Sequence, residues 1–433
     1  MPPMIPASPA LEALAAAVQA NSADAVAQVL AASPQLAPRL NEPMPGEAFG
    51  ATPLLGAVHR DNREMADVLL KAGADINARS HWWAGSFGVL DHDGPLAGFL
   101  ISRGAVVDVH AAARLGMIDR LEALLAADPA VVHARGGDGQ TALHFARSVE
   151  IARLLLDHGA AIDVRDVDHE STPAQWMVRD RQAVARYLVD RGASTDLLMA
   201  AALGDEARAT AYLDADPAAV HTSVSETYFP KQHPRSGGTI YNWTLGTGKT
   251  AHVIAREFGH AGVLRVLMDR SPETLRLAVA CEIGDDGATA ALLAAHPGLS
   301  ESLPADLLHR LPDLARDQNH EAVRLMLASG WPVDARGQHG GTALHWAAWH
   351  GDTRMTGDLL RQAPPLEVTD RDFGGTPLFW AVYGSVHGSR CKTGDYAGTV
   401  ELLLKAGATP PDVGGRVEAS EAVREVLSRW RTG

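Results

Sequence analysis

Thr342-Ala343-Leu344-His345-Trp346-Ala347-Ala348-Trp349-His350-Gly351 returns, in altered form, along the chain. It comes back 34 residues later as Thr376-Pro377-Leu378-Phe379-Trp380-Ala381, and stands earlier as Thr52-Pro53-Leu54-Leu55, Thr141-Ala142-Leu143-His144 and Thr172-Pro173-Ala174-Gln175. A threonine before a helical pattern is an N-cap signal, and proline at the next position fits the first helical turn. Most copies run on into a second helical pattern that closes with Gly-Ala, as at Gly73-Ala74, Gly159-Ala160, Gly192-Ala193 and Gly407-Ala408. Glycine there suits a left-handed C-cap, where a Cβ would be penalised. A second set of units lacks the threonine head but keeps a fixed frame. Asn21, Gly116, Gly204 and Gly284 each precede a proline (Pro34, Pro129, Pro217, Pro297) by 13 residues.

The heads resemble the T-P-L-H-x-A signature of the ankyrin-repeat family, which opens the inner helix of each unit. The resemblance implies an all-α fold, an ankyrin-repeat α-solenoid of roughly a dozen helix pairs. We read one solenoid over 11–433, with N-terminal units at 11–224, an insertion at 225–249, C-terminal units at 250–408 and a capping helix at 416–431. From about residue 239 onward the text is similar to bacterial and fungal ankyrin-repeat proteins that pair TALHWAAWHG with GDYA, here Gly394-Asp395-Tyr396-Ala397. Three stretches exceed a normal connection: 80–93, 225–249 and 384–397. The first is either a functional insertion or a worn repeat with a shortened inner helix. In the second, Gly237-Gly238 allows a small hairpin. Their exposed aromatic surface would be costly, so all three are expected to fold over the groove.

Composition sets the outer bounds. The 433 residues are 46% hydrophobic, and the net charge of −14 disfavours a phosphate backbone as partner. Two cysteines, Cys281 and Cys391, make no disulfide framework and suit a reducing compartment. The start lacks a signal-peptide pattern and no apolar run reaches membrane-spanning length. The expectation is a cytoplasmic protein with no nucleic-acid and no membrane partner.

Only 5% of residues are aromatic, yet several fall in register. Phe145, Trp176, Trp346 and Trp380 follow the signature His position, and Arg179, Trp349 and Tyr383 lie three residues further on. Residues three apart share a helix face, and the ankyrin resemblance turns that face to the concave groove. Trp346, Trp349, Trp380 and Tyr383 are therefore expected to form one aromatic wall, with His350 pointing the same way. The alternative is that a tightly curled stack buries them as core. Trp82, Trp83 and Trp243 in the insertions complete the candidate ligand-binding set. His350 is the first candidate for acid–base work because a histidine can exchange a proton near neutral pH, although no Ser/His/Asp or Cys/His arrangement identifies a reaction. The histidines of the heads, His110, His144 and His345, read as structural. Asp91-His92-Asp93 and Asp166-Val167-Asp168-His169-Glu170 carry ligand-type groups, but neither has a recognised metal spacing, and Asp-rich turns need no metal. Gly246-Thr247-Gly248-Lys249-Thr250 lacks the first glycine of a phosphate loop, since Trp243 stands there. No metal and no cofactor are expected. Two functions stay open: a groove holding a protein segment, as the ankyrin resemblance implies, or a small-molecule binder or enzyme whose pocket the insertions close.

Overall fold

The helices are short because each is capped early and stopped early. Thr52 Oγ1 accepts from the Leu55 N–H at 3.3 Å and Thr376 Oγ1 from the Phe379 N–H at 3.2 Å. Where the threonine is missing, aspartate takes its place: Asp108 caps Ala111 and Asp196 caps Met199, each at 2.8 Å. Such a cap contributes about 1 kcal/mol. The inner helices then run for only two turns, as in Pro53–His59, Leu197–Leu203 and Ala343–Trp349, and the outer ones slightly longer, as in Arg63–Lys71, Glu206–Ala215 and Thr353–Leu360. The 13-residue frame marks the turn between them. Asn21, Gly116, Gly204 and Gly284 all have φ between 56° and 72°, the left-handed region that ends a helix. At Gly204 a close approach adds to this, because a Cβ would lie 2.6 Å from His260 Nδ1.

The computed structural model describes residues 8–410 and 418–432, with backbone only for 431 and 432. Among them no strand forms; the pairs Ser223–Thr250 and Arg336–Thr342 make isolated antiparallel bridges. The chain divides into two compact units, 1–263 and 264–433. Within each, inner helices rich in alanine bury against one another: all seven residues of Leu197–Leu203 are buried, and Ala343–Trp349 packs between Arg310–Arg316 and Pro377–His387. Two histidines lock successive repeats together. His345 Nδ1 accepts from the Thr342 N–H at 3.0 Å, and its Nε2–H donates to the Gly375 carbonyl at 3.1 Å. His144 repeats this with Thr141 and the Ser171 carbonyl. His110 differs: it closes no such box, and its ring bonds the Ala134 carbonyl at 3.0 Å.

The insertions depart from the sequence reading in shape. Residues 80–96 hold no inner helix, and only the outer helix Ala97–Ser102 of that repeat forms. The hairpin allowed at Gly237-Gly238 does not form. Instead the Gly237 N–H donates to the Asp168 carbonyl at 2.9 Å, so this backbone pairs with a neighbouring finger, and 242–246 makes one helical turn. In the third stretch the inner helix simply runs on to His387, and a turn leads to the Asp395 cap of Tyr396–Lys405. The C-terminal helix spans Glu421–Thr432; residues 416 and 417 of the expected capping helix lie outside the described residues.

Candidate functional site

In unit 264–433 the repeated heads place aromatic rings around one cavity of about 560 Å³, lined by His339, Trp346, Trp349, Phe373, Phe379, Trp380 and Tyr383. Trp346 and Trp380 meet edge to face at 5.1 Å, Trp349 stacks on Tyr383 at 6.3 Å, and Phe379 on Tyr383 at 6.2 Å. Trp346 and Trp380 are 8% and 6% exposed and form a floor, while Tyr383 at 41% and Phe373 at 69% form an open rim. The finger before each head aims the ring. The Trp380 indole N–H donates to Asp370 Oδ2 at 2.9 Å, as the Trp176 indole N–H does to Asp166 Oδ1 at 3.3 Å. The buried indole N–H of Trp346 meets no acceptor.

His350 is not in this lining. Its ring lies on Trp346 but turns toward the preceding repeat, where its Nε2–H donates to the Arg316 carbonyl at 2.8 Å. Burial lowers its pKa. None of 384–397 lines the cavity either; Tyr396 donates to the Trp349 carbonyl and His387 stacks on Tyr383 at 4.3 Å.

Unit 1–263 holds a second cavity, of about 930 Å³. Phe145 and Trp176 from the inner helices line it, with Trp243, Ile240 and Thr244 from one insertion and Phe87, His92 and Asp93 from the other. Arg179 is exposed and donates to the Thr244 carbonyl at 2.7 Å, tying the insertion to the stack. Trp82 and Trp83 are not in the lining. Trp82 packs on Phe49 at 5.1 Å, and Trp83 stacks on His233 at 4.9 Å, with the Arg235 guanidinium 4.6 Å from its ring. The two insertions thus meet each other. Arg114, Arg147 and Arg181 also reach this cavity; burial and the nearby Arg114 push the Arg181 pKa down to about 10. Asp138, in the same wall, is pushed up to about 6 by burial, with Asp168 and Asp166 adding to the shift and His169 opposing it. The Trp82 N–H tempers that shift without closing a hydrogen bond. Sequence reasoning missed Asp138, Arg114, Arg181, His339 and Phe373. Asp138, His339 and Phe373 had a readable signal, since they sit in the fingers flanking the aromatic heads.

Capped helix pairs joined by αL turns and finger loops, with histidine boxes bridging the repeats, define a helical repeat protein. Comparison with known sequences agrees: residues 109–208 match a family described as ankyrin repeats (3 copies), 311–360 one described as ankyrin repeats (many copies), and 49–81 a single ankyrin repeat. The chain is an ankyrin-repeat protein. Among curated proteins it is similar to a calmodulin-binding transcription activator CBT of Oryza sativa subsp. japonica, 52% identical over 50 residues, covering 11% of this chain and 5% of that one. Inversin of Canis lupus familiaris is 30% identical over 171 residues, covering 35% of this chain and 16% of inversin; the Mus musculus protein matches to the same extent. These matches span a small part of the relatives' own length. No helix among the described residues is long and apolar enough to cross a membrane.

Proposed function

We propose that the aromatic cavity of unit 264–433 holds a segment of another protein, which inserts a cationic side chain among the rings and offers a backbone carbonyl to Trp346. One observation carries this: a cavity walled by six aromatic rings has Trp346 in its floor, and the indole N–H of that ring, shielded from solvent, has no acceptor. Leaving such a donor unpaired costs about 1–3 kcal/mol, which a bound carbonyl recovers once the ring shifts to admit it. Indole faces attract cations by about 0.5–2 kcal/mol, and the −14 net charge favours a cationic partner. Ankyrin repeats are interaction modules in general, which fits the same reading. The test is selection of binders from a random peptide library by the full chain. Peptides rich in Lys or Arg, weakened at least tenfold by Trp349→Ala with Tyr383→Ala, support the proposal; binders that the double variant retains at full affinity contradict it.

A second reading concerns the cavity of unit 1–263, which we infer takes a small molecule. It is favoured by walls drawn from both insertions, an arrangement a peptide trough does not need. A metabolite thermal-shift screen on wild type and Trp243→Ala tests it: a hit that survives the substitution unchanged counts against this cavity.

A further inference from the structure

The finger 166–170 has a close internal counterpart. Arg336–Thr342 and Asp370–Thr376 repeat the pattern of Arg135–Thr141 and Asp166–Thr172, with the same interlock: the Arg371 N–H donates to the His339 carbonyl and the Val167 N–H to the Asp138 carbonyl, both at 2.8 Å. In the later pair of fingers the side chains satisfy each other, His339 Nδ1 lying 2.9 Å from Asp372 Oδ2. In the earlier pair His339 is replaced by Asp138, and a histidine, His169, stands where the later pair has Phe373. These groups gather without bonding. His169 Nε2 is 3.7 Å from Asp168 Oδ2 and 3.9 Å from Asp138 Oδ2, longer than a hydrogen bond.

The ring is oriented from its other side. His169 Nδ1–H donates to the Gly238 carbonyl at 3.2 Å, so Nε2 is the nitrogen that faces the two carboxylates, carrying a proton when the ring is charged and free to ligate when a metal ion takes that proton's place. A carbonyl behind the ring is the usual support of a metal-bound imidazole. Asp168 is held likewise, its Oδ1 accepting from the Gly237 N–H at 3.2 Å. One donor atom from each of Asp138, Asp168 and His169 lies within 4.8 Å of the others. Asp138 is 8% exposed, and its Oδ1 has no hydrogen-bond partner. No lysine or arginine among the described residues forms an ion pair with Asp138 or Asp168; the group facing both is His169. Two buried carboxylates repel one another unless a cation compensates them; a protonated His169 supplies one positive charge, and a divalent ion held by all three residues supplies two.

We propose that Asp138, Asp168 and His169 bind a first-row divalent cation of the Zn²⁺ type, with Nε2 and one oxygen from each carboxylate as ligands. A borderline ion accepts this mixed N,O set at about 2.0–2.2 Å, and three protein ligands leave room for water. Asp138 stands in the wall of the larger cavity, which provides an entry route. The insertion 225–249 supplies both supporting backbone groups, Gly237 and Gly238, so the ion would also fasten that insertion to the stack.

The experiment is Zn²⁺ binding to the full chain by competition with a chromophoric chelator, together with thermal melts with and without Zn²⁺. Wild type should bind one Zn²⁺ with a rise in Tm. Asp138→Asn should raise the metal-free Tm, since a buried like charge is removed, while weakening Zn²⁺ at least tenfold. His169→Gln should also weaken Zn²⁺ at least tenfold, and Asp372→Asn should leave it unchanged. Absence of a stoichiometric site, or a site of equal affinity in the Asp138 and His169 variants, overturns the proposal.

Discussion

Acid should weaken this fold through the histidines that bridge its repeats, and replacing His345 by glutamine should reverse the sign of the mutant's stability with pH. His345 Nδ1 accepts from a backbone N–H while its Nε2–H donates to the Gly375 carbonyl; protonation would set one N–H against another. Burial is the largest cause of the lowered pKa, about 4, and the bond to the Gly375 carbonyl opposes it, against about 6.5 in an unfolded chain. The lowered value means that the unfolded state takes up the proton first. Stability from this group is therefore whole above pH 6.5, declines as pH falls through that range, and loses nothing further below about 4. At pH 5 the loss is about 2 kcal/mol. Gln175 already occupies the matching place in another head, where its Oε1 accepts from the Thr172 N–H at 2.9 Å. His345→Gln should thus keep the cap and lose the bridge, costing about 1 kcal/mol at pH 7.5. At pH 5 wild type has lost about 2 kcal/mol that the variant has not, so the variant becomes the more stable. Urea unfolding followed by indole fluorescence reads this, because Trp380 packs edge to face on His345 at 5.2 Å. A stability difference that stays the same at both pH values would refute the reasoning; His144, whose pKa falls to about 3, should behave alike.

Trp380→Ala should cost about 3–5 kcal/mol, as expected for a buried indole, whereas the half-buried Trp349→Ala should cost clearly less in the same melts. Gly204→Ala should destabilise more than Gly284→Ala. Both demand a left-handed backbone, costing about 1 kcal/mol, but only at Gly204 does the new methyl meet a ring atom at 2.6 Å; the Gly284 methyl meets its nearest atom at 3.5 Å. Both cysteines are free. Cys391 is exposed and should react quickly with a thiol reagent in the native protein, while buried Cys281, whose pKa burial raises, should react only on unfolding.

The repeats were legible because their chemistry is local. A threonine cap, a following proline and an αL turn act within a few residues, so Thr52, Thr376 and the frame at Gly204 and Gly284 are visible in the text. The aromatic register was legible for the same reason: Trp346 and Trp349 share a face by spacing alone. His350 was not, since the carbonyl that turns its ring belongs to Arg316 of another repeat. Nor was the split between floor and rim, which depends on what the adjoining helix and finger cover. Asp138 escaped notice because it stands alone in its finger and acquires neighbours only when the next finger, some thirty residues on, docks against it. A regularity that was readable went unread: Asp166 and Asp370 each precede by ten residues the tryptophan they bind.

The central claim rests on the unpartnered Trp346 indole and is tested most directly by nuclear magnetic resonance of the ¹⁵N-labelled indole groups in the full chain. The Trp346 signal is assigned from its loss in Trp346→Phe, and a Lys- or Arg-rich peptide from the library selection is titrated in. The Trp346 indole proton should move downfield as the carbonyl docks. A peptide that saturates the protein while this signal stays in place would contradict the proposal.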